Sequence, residues 1–330
     1  MKLSIIVPCR NEEKHIEHCL LSLLNNGYPS EDIEILVVDG LSEDKTRSIV
    51  ANVKESFPNI NLVDNNKKKT PFALNLGIKK ATGDFILIAS AHSSFDKGYI
   101  QTMFDELNRL DADVVGGVMT TKIKNHTPTA VAIKNVLSHK FGVGNAVFRI
   151  GTNHAIEVDT VPFGLYRSSL LKNIDGYDER LIRNHDIELS KRILAQGGKI
   201  FLTPKAECHY FARENWKKLA KNNYDNGKWN IITTYYTNNF ASLSIRHFIP
   251  LLFLLSLVFP ALLSFIFWPF ILLSLLSFGI YIITLIFFIS KMDRKGTTFF
   301  HIFWTFLVLH ISYGVGSFVG LFHIGKLFKK

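Results

Sequence analysis

Hydrophobic and polar positions alternate along the first 90 residues in a pattern that fixes their elements. Leu3-Ser4-Ile5-Ile6-Val7-Pro8 is a short apolar run that predicts a buried strand, followed by the polar turn Cys9-Arg10-Asn11-Glu12 and a helix over about residues 13–26. Residues 33–38 predict a second strand ending in Asp39-Gly40, and Ser42 a cap for a helix that runs through residues 51–54. A third strand follows at 60–63, a third helix at 70–80, and a fourth strand at 85–89 after the turn Thr82-Gly83-Asp84. Strands alternating with helices imply an α/β fold with a parallel sheet covered on both faces. Ligands of such sheets sit at the carboxyl ends of the strands, where Arg10, Asn11, Asp39 and Ser90-Ala91-His92 fall. Further on, the pattern predicts a strand at 113–118, a less regular stretch rich in Gly and Asn at 129–149, a strand ending in a tight loop at 158–164, and a turn at Asp175-Gly176-Tyr177-Asp178. A helix then starts at Asp186 behind a cap at Asn184 and ends at Gly197-Gly198. A strand at 199–203 and a basic helix at about 215–222 complete the first 240 residues.

The C-terminal third has another character. Residues 248–290 are 43 consecutive positions without Asp, Glu, Lys or Arg, and a crossing needs only about 20, so two spans fit, near 248–267 and 270–290. A second uncharged run covers residues 296–325. It is long enough for a third span, but Gly314, Gly316, Gly320 and its histidines suit a re-entrant or interfacial segment as well. The resulting division is a catalytic domain over 1–230, an interfacial segment over 231–247 containing Tyr235, Tyr236 and Phe240, and a transmembrane region over 248–330.

The net charge of +10 adds a side to this picture. Lys291, Arg294, Lys295, Lys326, Lys329 and Lys330 flank the apolar runs, where basic residues mark the cytoplasmic side and meet anionic headgroups. The high pI is thus assigned to a lipid bilayer and not to nucleic acid. Cys9, Cys19 and Cys208 have no zinc or disulfide spacing and read as reduced thiols. The N-terminal apolar stretch is too short for a signal peptide, so the first 240 residues are expected in the cytoplasm at the inner (plasma) membrane.

Chemistry concentrates in a few acids. Asp186 opens a helix, whose N-terminal dipole favours a carboxylate able to accept a proton from a hydroxyl, whereas Glu188, two positions on, points elsewhere. Asp39, at a strand's carboxyl end, suits an NH or hydroxyl of a ligand, and Arg10 beside it suits a diphosphate. Neither G-x-G-x-x-G nor G-x-x-x-x-G-K occurs, which removes the dinucleotide and P-loop classes.

These residues carry a resemblance. Ile5-Ile6-Val7-Pro8-x-Arg10-Asn11-Glu12, Leu36-Val37-Val38-Asp39-Gly40, Ala73-Leu74-Asn75 and Asp186-x-Glu188-Leu189 resemble the family 2 glycosyltransferases of GT-A fold. Phe141-Gly142-Val143-Gly144-Asn145-Ala146, Val161-Pro162-Phe163-Gly164, Gly176-Tyr177-Asp178-Glu179-Arg180 and Asn226-Gly227-Lys228-Trp229 are similar to the succinoglycan-type exopolysaccharide glucosyltransferases. The resemblance implies inverting transfer of one sugar from a nucleoside diphosphate sugar, such as a UDP-hexose, to a lipid-linked oligosaccharide or polysaccharide acceptor. It implies Asp186 as general base. Pro8, Arg10, Asn11, Glu12, Asp39, Asn75, Ser90 and His92 would form the nucleotide-sugar pocket, and Phe163, Gly164 and Trp229 the acceptor side. Alternatives are polyprenyl phosphate as acceptor, or a catalytically degenerate subunit of a polysaccharide assembly complex. The family's Asp-x-Asp or Asp-x-His metal motif is replaced by Ser90-Ala91-His92, so a divalent cation (Mn²⁺ or Mg²⁺) would rely on His92, with His209 as a second ligand if the chain returns beside the fourth strand. The Gln-x-x-Arg-Trp of processive members is represented only by Asn226-Gly227-Lys228-Trp229, which favours single transfer.

Overall fold

The computed structural model describes residues 1–327, with side chains through His323; Lys329, Lys330 and the side chain of Lys326 lie outside the described residues. It comprises two compact units, residues 1–120 with 147–211, and residues 121–146 with 212–330.

The first unit is built on a mixed sheet of order β3-β2-β1-β4-β8-β6-β9-β5. Its parallel half consists of β1 (Leu3–Cys9), β2 (Ile33–Asp39), β3 (Ile60–Asp64) and β4 (Phe85–Ile88), joined by α1 (Ile16–Leu24), α2 (Thr46–Ser56) and α3 (Thr70–Lys80). The residues of β1 alternate between two cores. Leu3, Ile5 and Val7 pack with Ile16, Cys19, Leu20 and Leu23 of α1, while Ile6 packs with Ala73, Leu74 and Ile78 of α3. Both faces of the strand are therefore buried, as a parallel sheet requires. The antiparallel half adds β5 (Ser93–Phe95), β6 (Val114–Lys122), β7 (Ile156–Glu157), β8 (Leu165–Arg167) and β9 (Ile200–Phe211), with α4 (Tyr99–Arg109), α8 (Ser168–Asn173) and α9 (His185–Ala195) packed around them.

Several elements differ from expectation. Helix α2 begins at Thr46 and not at Ser42, whose hydroxyl bonds Asp39 instead. Residues 129–149 are largely helical: α5 (Pro128–Leu137) is capped by Thr127, whose Oγ1 accepts from Ala130 N at 3.2 Å, and the short α6 (Lys140–Val143) and α7 (Val147–Ile150) follow. No strand occupies 158–164; the extended pieces lie on either side, in β7 and β8. Strand β9 runs to Phe211 because it pairs β7 near its start, at Phe201 and Leu202, and β5 near its end, at Cys208, His209 and Tyr210. The basic helix is 22 residues long, α10 (Trp216–Thr237), and residue 230 falls inside it. Asn184 stands before α9 with φ 60°, and the helix starts on its backbone carbonyl, which accepts from Glu188 N at 2.9 Å.

The second unit holds α5, α10, α11 (Ile249–Leu263), α12 (Phe270–Lys291) and α13 (Phe299–Leu327). By length and composition, α12 and α13 up to His323 are long and apolar enough to cross a membrane. Helix α11 has 15 residues, about 22 Å, short of the roughly 30 Å hydrocarbon core. It pairs with α12 through Ser256–Ser277 (2.7 Å) and Ser274 Oγ to Leu257 O (2.7 Å). The run after residue 296, with Gly314, Gly316 and Gly320 inside it, forms one continuous helix from Phe299. A Cβ on Gly316 would lie 2.0 Å from Tyr224 O of α10, and one on Gly227 would lie 2.0 Å from Tyr313 O of α13. Gly316-x-x-x-Gly320 is thus a close-packing face against α10.

Candidate active site

The carboxyl ends of β1 and β2 are laced together by their loops. Asn11, at φ 56°, donates its N–H to Ser42 Oγ (2.8 Å), and its Oδ1 accepts from Glu43 N (2.9 Å). Glu12 N donates to Thr46 Oγ1 (2.8 Å), Glu13 N to Asp44 (3.1 Å), and Lys45 N returns to Glu13 (3.2 Å). These bonds fix the start of α1 against that of α2. Pro8 is the half-buried position of β1, and Arg10 is exposed with its stem across Gly40.

Asp39 is fully buried and well supplied with donors. Its carboxylate accepts from Ser42 N (3.0 Å), Ser42 Oγ (2.5 Å) and Arg47 Nη1 (2.7 Å). The same Arg47 nitrogen reaches Asp64 at the end of β3 (2.7 Å), so one guanidinium joins the carboxyl ends of two strands. Nothing around Asp39 in the sequence singles out Arg47. Only the packing of α2 onto the strand ends brings it there.

At the end of β4, Ser90 and His92 form a turn in which Ser90 O accepts from Ser93 N (3.0 Å) and Ser93 Oγ (2.6 Å). His92 Nδ1 lies 3.5 Å from Glu12 Oε1, and its ring is 5.5 Å from that of Tyr210. Pro8, Arg10, Asn11, Glu12, Asp39, Ser90 and His92 thus converge on one set of strand ends. His209 does not join them. It neighbours Tyr210 on β9, and adjacent strand residues point to opposite faces; His209 bonds Asp96 (2.8 Å) and faces Glu207 (3.6 Å). Asp96, Glu207 and His209 have ligand atoms within 4.8 Å of one another. At Ser90-Ala91-His92 the missing carboxylate has a spatial substitute in Glu12, so an imidazole and a carboxylate stand together there, a donor pair that fits Mn²⁺.

The second cluster surrounds Asp186. It is exposed on the first turn of α9, whereas Glu188 is buried and bound by Arg192 through Nε (2.6 Å) and Nη2 (2.9 Å). Arg192 also donates to the carbonyls of Ile174 (2.6 Å) and Gly176 (2.7 Å), so Glu188 and Arg192 anchor the turn before α9. Asn75 holds the same turn from α3: its Nδ2 donates to Tyr177 O (2.8 Å) and its Oδ1 accepts from Tyr177 N (2.8 Å). Gly176, at φ 60°, is required here, because a Cβ would lie 2.5 Å from Asn75 Oδ1. Tyr177 packs edge-on against His185. Burial, followed by the negative charge of Asp186, pushes the Tyr166 phenol up, and burial does the same to Tyr177, so both phenols stay neutral beside the helix start. Burial lowers His185, whose Nδ1 has no hydrogen-bond partner. Phe163-Gly164 links the two clusters: Gly164 O accepts from Ile88 N at the end of β4 (3.1 Å), and a Cβ on Gly164 would meet the Tyr166 ring at 2.8 Å. Trp229 lies on α10 in the other unit.

Glycosyl transferase family 2 matches residues 4–174. The chain belongs to this family. It is 31% identical over 275 residues, 80% of its length and 84% of the relative's, to a dolichyl N-acetyl-alpha-D-glucosaminyl phosphate 3-beta-D-2,3-diacetamido-2,3-dideoxy-beta-D-glucuronosyltransferase of Methanococcus voltae. It is 28% identical to the succinoglycan biosynthesis protein ExoA of Rhizobium meliloti over 63% of each chain. In fold it is similar to the mannosyltransferase PcManGT from Pyrobaculum calidifontis, solved with GDP-Man and Mn²⁺: TM-score 0.62, 14% identity, 97% of this chain and 87% of that one. This family 2 glycosyltransferase therefore has the GT-A fold, and its relatives act on lipid-linked and polysaccharide glycans. Sequence reasoning passed over Arg47 and Tyr166, and named Tyr177 only as part of the turn and motif at 175–180. Tyr177 alone had a local signal, the turn glycine before it.

Proposed function

We propose that this family 2 glycosyltransferase performs a single inverting transfer of a sugar from a nucleoside diphosphate sugar to a hydroxyl of a lipid-linked glycan. The observation that carries the reading is the contrast within Asp186-x-Glu188: the second acid is buried and bound by Arg192, while the first is exposed on the first turn of α9, where a base can reach a substrate hydroxyl. Arg10, Asn11, Glu12 and Asp39 bind the nucleotide, and Phe163-Gly164 serves the acceptor. Asn75 acts at one remove, by holding Tyr177 beneath α9. A divalent ion held by His92 and Glu12 would offset charge on the leaving diphosphate. The lipid-linked acceptor is favoured over a free polysaccharide by the relative whose acceptor is dolichyl-linked.

The same reading places the protein at the cytoplasmic face of the membrane, with the α11–α12 pair in the bilayer and α13 along its surface. Helix α13 runs beside α10 from Trp216 Nε1–Thr305 Oγ1 (2.9 Å) to the contact of Gly320 with Ile231. Helix α10 exposes Lys217, Lys218 and Lys221, and each lysine costs about 2.5–3.5 kcal/mol at mid-bilayer. A helix so accompanied is better placed in the interface.

The test is release of free nucleotide by purified membranes from a panel of UDP-, GDP- and dTDP-sugars, with and without lipid extract, for the parent and Asp186→Asn. Asp186→Asn is expected to fold normally and to lose about 10²–10⁴ in lipid-dependent transfer. Near-parental transfer at saturating donor and acceptor would exclude Asp186 as the base.

A further inference from the structure

We propose that the second unit binds the phosphate of an anionic lipid headgroup in the cleft between α5 and the loop that joins α12 to α13. The cleft has a volume of about 620 Å³, within the usual range for ligand pockets. Three lysines converge on it from separate segments: Lys134 from α5, Lys291 from the last turn of α12, and Lys295 from the loop. Among the described residues no carboxylate pairs with any of them. The acid in the lining, Asp293, is turned onto Lys295 N (2.9 Å). Lys291 lays its ammonium over the Phe287 ring, 4.1 Å from the centroid. The site is therefore a concentration of positive charge awaiting an anion.

The loop is held in place. Asn135 Nδ2 donates to Asp293 O (3.1 Å) and Thr297 Oγ1 to Pro128 O (2.7 Å), so the three lysines are presented from a fixed backbone. His139 lines the same cleft with its ring against Phe288 and Phe306. Its Nδ1 accepts from Phe141 N (3.1 Å), which leaves the proton on Nε2, a donor of the kind a phosphate oxygen takes.

The position argues for a lipid as the source of the phosphate. Helix α12 exposes Leu276, Ile280, Ile283 and Phe287 along its length and ends at Lys291, so the cleft opens where the apolar surface stops. With α12 in the bilayer, this is headgroup depth, and Val131 and Met292 in the lining meet the glycerol and upper acyl chain. The inference rests on the membrane reading given above, and its test separates the two.

The full chain in detergent micelles is titrated with equal amounts of phosphatidylglycerol and phosphatidylcholine and, separately, with inorganic phosphate, and the bound species are counted by native mass spectrometry. Phosphatidylglycerol is expected to be preferred, and Lys134→Gln and Lys295→Gln each to weaken it about five-fold, with Lys54→Gln in the first unit unchanged. The parent showing no preference between the two lipids, or a double variant of normal melting temperature that retains phosphatidylglycerol, overturns the proposal. Inorganic phosphate displacing the lipid at equal concentration overturns the lipid source. A chain monodisperse without detergent overturns the membrane reading and this proposal with it; a detergent-dependent chain without the preference overturns this proposal alone.

Discussion

Arg47→Ala removes the only cation that bonds Asp39 among the described residues, and its cost follows from the geometry. Asp39 is fully buried, so it cannot recover the lost bond from water, and Ser42 N and Oγ, with the weak Cys9 thiol donor (3.7 Å), remain as its neutral donors. A hydrogen bond to a charged group contributes about 1.5–3 kcal/mol, and stripping one partner from a fully buried ion pair costs about 3–5. Arg47 is 38% exposed, so the lower range applies, and about 2–3 kcal/mol is expected. The Asp64 branch adds little, because that carboxylate is 55% exposed, and exposed pairs contribute about 0–1 kcal/mol. For a unit of this size the melting temperature should fall by roughly 4–10 °C. Thermal unfolding of the detergent-solubilised chain measures this, with Asp64→Asn as the comparison, expected to shift by no more than about 3 °C. Calorimetry on the same variant reads nucleotide affinity, expected to weaken because Asp39 loses its orientation. An Arg47→Ala protein melting within 1 °C of the parent, or an Asp64→Asn shift equal to it, would refute the argument that burial of Asp39 gives the bridge its worth.

Three further expectations concern pH, metal and packing. Arg109, with Lys205 and Thr203, holds the buried carboxyl of Glu106 down at about 2; a depressed carboxylate stabilises above its unfolded value near 4.5 and loses that contribution as pH falls towards 2, so acid titration should remove roughly 1–3 kcal/mol in this window and Glu106→Gln should flatten it. Ser90→Asp should lower the Mn²⁺ concentration for half-maximal transfer and His92→Ala should raise it, while full activity in excess EDTA would end the metal reading. Gly316→Ala should cost about 1–3 kcal/mol as α10 and α13 are forced apart, whereas Gly279→Ala, with nothing within 4 Å of its Cβ, should not; equal melting temperatures would contradict the close-packing account.

The parallel half of the sheet was legible because its inner strands are buried on both faces and appear as short apolar runs between helices, with only the edge strand β3 half-exposed. Of the antiparallel half only the starts of β6 and β9 were legible, at 113–118 and 199–203. Strand β9 carries Pro204, Lys205, Glu207 and His209 among its apolar positions, since its outer residues need no burial, and its length is set by partners β5 and β7 elsewhere in the chain. Helix α5 was hidden by the glycines that follow it, although Thr127-Pro128 is a cap followed by a first-turn proline. At the site, the strand-end residues were readable from their positions alone, and so was the separation of Asp186 from Glu188. The contacts of Arg47 with Asp39 and of Glu12 with His92 were not, because neither side chain lies where local pattern says anything about its partner.

The tail shows how one residue type carries opposite meanings until its neighbour is known. Gly314, Gly316 and Gly320 read alone are weak points in a helix and suit a re-entrant turn. In the structure Gly314 lies against Pro250 O of α11, Gly316 against Tyr224 O of α10, and Gly320 against Lys228 O, so each lets a backbone approach that a methyl group would block. Gly227 of α10 meets α13 in the same way at Tyr313 O. Any side chain at that position would separate the helices. The glycine of α10 and those of α13 are therefore two sides of one packing arrangement, each admitting the other helix's backbone.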